Sequence, residues 1–146
     1  MGKENFFDSK TWTPAFVRQY TDCCGDALLV TLDEGKAALA KGDRTAAAAA
    51  FEDVVNGLRL LAAVDPVGYG APLYANQYAT ARIYLFGLRD EKKGALFLKA
   101  ACDSAKKCGA EGDLAVMNAV LSVLEKRGIA GVLHEFDIAF PDDLLD

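Results

Sequence analysis

Histidine and tryptophan each occur once in these 146 residues, methionine twice and proline four times. The single histidine, His134, is followed by Glu135 but has no second histidine a turn away, so the metalloprotease helix motif is excluded. Basic residues form no cluster. Lysine and arginine number 16 against 21 acidic residues, a net charge of −5. An acidic chain without a basic stripe lacks the phosphate contacts that dominate nucleic-acid affinity, so no nucleic-acid partner is expected. No apolar run approaches the ~20 residues of a spanning helix, so no membrane partner is expected either. Met1 to Asp8 mix charges and carry no apolar stretch of the kind a secretory leader needs, which makes the cytoplasm the expected compartment.

Catalytic signatures are equally scarce. Gly68-Tyr69-Gly70 is not followed by the lysine that grips phosphate, and no Gly-x-Ser-x-Gly elbow occurs. Glu52 and Asp53 are adjacent and point apart, so they cannot share acid–base work. His134, with Asp137 three residues on, is the one candidate base. The four cysteines are Cys23, Cys24, Cys102 and Cys108. None has the two-residue spacer of a redox or zinc pair, so buried or half-buried structural thiols are expected, with no metal and no cofactor.

What is abundant is alanine, 25 residues, in a chain that is 52% hydrophobic and 25% charged. That composition favours helix and supplies a core. No segment alternates with the period of a strand. The pattern predicts one all-α domain over 1–146, with six or seven antiparallel helices, an extended N-terminal segment over 1–12 and an acidic tail over 141–146.

Thr13-Pro14 reads as an N-cap followed by proline at the first helical position. Gly25-Asp26 is a possible break in that first helix. Gly42 is the expected left-handed stop before Asp43, which caps the next helix. There Phe51, Val54, Val55, Leu58, Leu61 and Ala62 make a single stripe. The Ala46–Ala50 run reads as a close-packing surface. Two prolines and two glycines over 65–72 predict a loop. A two-sided apolar helix follows, with Asn76, Gln77, Thr80 and Tyr84 on a solvated face. Asp90 and Gly109 bracket another helix, Asp113 and Gly128 a further one. A short last helix carries Leu133 and Phe136 and stops by Pro141.

Leu28 to Leu61 resembles one tetratricopeptide repeat of 34 residues. Gly35 falls on its small residue, Gly42-Asp43 on its turn, and Ala47 and Phe51 on the alanine and aromatic of its second helix. Thr31 and Glu34 depart from the pattern, and the closing proline is missing. A second copy over Ala75 to Cys108 puts Gly94 on the alanine, 47 residues after Ala47, so it carries an insertion. Arg82 lies there where the first copy has Gly35. The resemblance implies a tetratricopeptide-like right-handed superhelix; a plain helical bundle is the alternative architecture.

It also implies a non-catalytic protein–protein interaction module. First helices of such pairs form a concave groove that takes a peptide or a helix. Carried over singly, the groove residues are Lys36, Leu39, Asn76, Thr80 and Ile83, with Leu29, Leu32, Asp33, Ala40, Ala79, Phe86 and Gly87 beside them. Lys36 alone cannot rebuild the two-lysine carboxylate clamp of some members. A mostly apolar groove suits an apolar or helical segment of a protein partner. The alternatives are a small acidic chaperone of the secretion type, a homodimeric structural module and, least favoured, a small enzyme using His134. The aromatic N-terminal residues around Trp12 and Phe16 are candidates to fill the groove.

Overall fold

A computed structural model describes residues 14–136 and 138–145, with side chains from residue 24 onward. The fold is all-α, and no strand occurs among the described residues. Helix α1 runs Pro14–Ala40, α2 Arg44–Val64, α3 Pro66–Arg82, α4 Glu91–Cys108, α5 Glu111–Glu135 and α6 Asp142–Leu145. Helix α3 continues as a π-helical segment over Ile83–Leu88. The expected extended segment 1–12, the Thr13 cap and the groove-filling role of Trp12 and Phe16 lie outside the described residues and side chains.

One to three residues separate consecutive helices from α1 through α5, with the π-helical segment taken as part of α3. Each packs on its neighbours in sequence: α1 on α2, α2 on α3, α3 on α4, α4 on α5. Turns that short leave only an antiparallel arrangement of neighbours. Gly42 adopts φ 84°, and the Asp43 carboxylate accepts the Ala46 N–H at 3.1 Å. At the α1–α2 crossing, a Cβ on Gly35 would sit 3.0 Å from the Phe51 ring. Ala47 and Ala48 are buried there, so part of the alanine run is a close-packing surface as expected. The α2 stripe from Phe51 to Leu61 is buried, while Ala62 reaches its edge.

Several local signals are overruled. Helix α1 runs straight through Gly25-Asp26. The expected 65–72 loop is helix. Asp65 ends α2 and caps α3, its carboxylate accepting the Gly68 N–H at 3.0 Å, and Pro66 takes the first helical position, where no N–H is needed. Gly70 serves packing and not a turn: a Cβ there would lie 2.7 Å from Cys108 Sγ on α4. Helix α5 starts at Glu111 with Asp113 in its first turn, so Asp113 is not the cap. Gly128 does interrupt it, at φ 71° and ψ −168°, and the Ile129 N–H is taken up by Glu91 Oε1 at 2.9 Å. The expected acidic tail is not a free tail: Asp142–Leu145 form a helical turn and Leu144 is buried.

Candidate partner-binding groove

Helix α3 with its π-helical extension is the central element, packed by α2 and α4. Its expected solvated face is therefore buried, with Gln77, Thr80 and Tyr84 exposed by 5% or less. Tyr84 stacks on Phe97 at 5.8 Å and donates its hydroxyl to Glu52 Oε2 at 2.9 Å. Burial first, and that bond second, push its ionisation well above the ordinary tyrosine range. Along another side, the Tyr74 hydroxyl donates to Asp113 on α5 at 2.5 Å, and Arg82 lies 4.4 Å over the Tyr78 ring. The bond to Asp113 raises the Tyr74 pKa, and burial raises that of Tyr78.

The expected groove residues divide into two groups. Leu39, Thr80 and Ile83 are core, not open groove wall. Lys36 and Asn76 are half-buried. The polar groups expected to read a peptide are consumed within α3 itself. Asn76 Nδ2 donates to the Pro72 carbonyl at 2.8 Å, and Thr80 Oγ1 donates to the Asn76 carbonyl at 2.7 Å. Such back-bonding is how short polar side chains are satisfied in mid-helix. Leu29, expected beside the groove and readable as ordinary core, is 59% exposed.

The Leu39, Ile83, Phe86 and Gly87 part of that face meets the chain's own segment around Phe140 and Leu144. Phe140 packs on Phe86 with ring centroids 6.4 Å apart, and its ring edge would meet a Cβ on Gly87 at 3.1 Å. Arg44 lies 5.6 Å over the same ring. Leu144 shares one cluster with Leu39, Ala79 and Ile83, flanked by Leu32, Phe140 and Leu145. Helix α6 also touches α1. Asp143 Oδ2 closes on Arg82 Nη1 at 2.6 Å. Among the described residues Arg82 Nε and Asp143 Oδ1 are buried without partners, so the pair is single-armed and not bidentate. The sequence pattern held no sign of this docking, because a proline followed by leucines and aspartates carries no address.

Cys102 is buried, and desolvation pushes its thiol pKa up. Cys24 is half-buried and Cys108 is exposed, so the expectation of inward thiols fails at Cys108. His134 is exposed near the end of α5, and Asp137 lies outside the described residues. Among the described residues no three His, Cys, Asp or Glu side chains gather as a metal site. No helix among them is long and apolar enough to cross a membrane. No protein-family model, curated protein or solved structure matches the chain.

Proposed function

We propose that this chain is a cytoplasmic, non-catalytic protein–protein interaction module. On this reading its helix pairs are tetratricopeptide-like, and the face along α1 and α3 receives a helical, acidic and apolar segment of a protein partner. The observation that carries the reading is the seating of Phe140, Asp143 and Leu144 on that face. A surface that holds such a segment in cis has the shape and charge to hold one in trans. The occupant's chemistry follows from its contacts: an aromatic ring for Phe86 and Gly87, a carboxylate for Arg82, and a leucine for the pocket between Leu39 and Ile83. Pairing of the repeat kind is supported by the close approach of Gly35 on α1 to Phe51 on α2 and of Gly94 on α4 to Leu85 at the end of α3, each pair crossing at one glycine. Exchange of C-terminal segments between two copies would use the same contacts and make a two-fold dimer.

A labelled peptide of residues 136–146 tests this. The wild-type face is already held by a tethered copy, whose effective concentration is of millimolar order. Full-length chain carrying Leu144→Ala should therefore bind the peptide saturably, and at least several-fold more tightly than wild type. Absence of binding to both proteins would contradict the proposal.

A further inference from the structure

Helix α5 carries no charge from Leu114 to Leu124, and Asn118 and Ser122 are the polar side chains of that stretch. One of its faces is core, with Met117, Val120 and Leu124 buried. The opposite face is also apolar and lies open. Ala115 and Ala119 are exposed, and Val116 is 55% exposed. Ser122 and Val123 are half-buried at its edges. Of the other helices among the described residues, only α4 packs closely on α5. A helix that is apolar all round belongs in an interior, so the outer face of α5 lacks a neighbour.

Charges of opposite sign bracket that face. Glu111 stands eight residues before Ala119 and Lys126 seven after it, about 12 Å and about 10 Å along the axis. Helical periodicity sets both on the side of Ala115 and Ala119. Both are exposed, and among the described residues neither has an ion-pair partner. Turned end over end, the face complements itself: acid falls on base at each end, and apolar surface on apolar surface between them.

We infer that this face is a two-fold interface between two copies of the chain, in which α5 pairs antiparallel with α5 of the second copy across Ala119. Two-fold symmetry lays Glu111 of each copy against Lys126 of the other, so one contact is made twice. Alanine at the crossing lets the two axes approach to about 8 Å, the close end of helix packing. The interface is separate from the groove proposed above and does not depend on it.

Sedimentation equilibrium of the full chain, from about micromolar to about millimolar concentration, tests this. The mass should rise from 15.6 kDa and level off at twice that value. Ala119→Glu places a carboxylate from each copy at the axis and should keep the chain monomeric throughout. Glu111→Lys and Lys126→Glu each set like charges across the interface twice, and each should raise the dimer Kd by about tenfold. The two reversals combined should return the Kd to the wild-type value. Leu144→Ala should leave the dimer in place. A monomer at every concentration, a mass that grows past the dimer, or dimerisation of a folded Ala119→Glu chain would overturn the inference. Loss of the dimer in a folded Leu144→Ala chain would also overturn it, tracing the dimer to exchange of C-terminal segments. If Ala119→Glu does not fold, the reversals still decide, because single reversals without effect, or a double reversal no tighter than either single, would refute the pairing.

Discussion

Gly128 stands at φ 71° and ψ −168°, a conformation open in practice only to glycine, and a Cβ there would also meet Glu91 Oε1 at 2.8 Å. Glu91 is the acceptor that restarts the helix at Ile129, so the clash and the lost bond fall on one spot. Gly128→Ala should cost about 1–3 kcal/mol, read as a lower urea midpoint at unchanged slope. Tyr84 sets a second expectation, in pH. Its hydroxyl is kept protonated in the fold by burial and by donation to Glu52, whereas in the unfolded chain it ionises near pH 10. Above about pH 10 the unfolded chain therefore binds fewer protons than the folded one, and stability falls as pH rises; below it this contribution is constant. Tyr74 and Tyr78 act in the same direction. Urea unfolding from about pH 8 to about pH 11 should show a steeper alkaline loss in wild type than in Tyr84→Phe. Equal slopes would refute the assignment.

Helix α6 has only four residues, Asp142–Leu145, and is held by what it touches, since a single turn does not form alone. Leu144 supplies apolar burial and Asp143 supplies one bond to Arg82, with side-chain exposures of 21% and 19%. Asp143→Ala should cost about 1–2 kcal/mol, because a half-buried guanidinium loses its partner. Lys99→Ala breaks the 4.0 Å contact to Glu125, where both side chains are 56% exposed, and should change stability only within the noise of a surface substitution. Thermal unfolding of the two variants beside wild type measures the difference. At this scale the sequence was most legible where periodicity and caps agreed. The α2 stripe, the Gly42 turn and the Asp90 and Gly109 boundaries of α4 all form as the pattern predicts. It was least legible over 65–72, where breaker residues serve as a cap, a first turn and a packing surface. Those roles belong to tertiary contacts that no local rule contains.

Across the molecule, helical period marked which residues are apolar, but not which faces a neighbour covers. Gln77 and Thr80 read as polar surface because their neighbours α2 and α4 are far away in sequence or follow later in the chain. Of the expected groove residues, Leu39, Ala79 and Ile83 share a cluster with Leu144, and Phe86 and Gly87 meet Phe140, whereas Asn76 and Thr80 are bonded within α3. The identity of the covering segment was not legible. It is the chain's own segment around Phe140 and Leu144, so that part of the face is occupied. A nuclear Overhauser measurement on the full-length chain tests that occupation directly. Cross-peaks are expected between the Phe140 ring and the Gly87 α-protons, and between the Leu144 methyls and those of its cluster with Leu39 and Ile83. Narrow, random-coil resonances for residues 140–145 without these cross-peaks would contradict it.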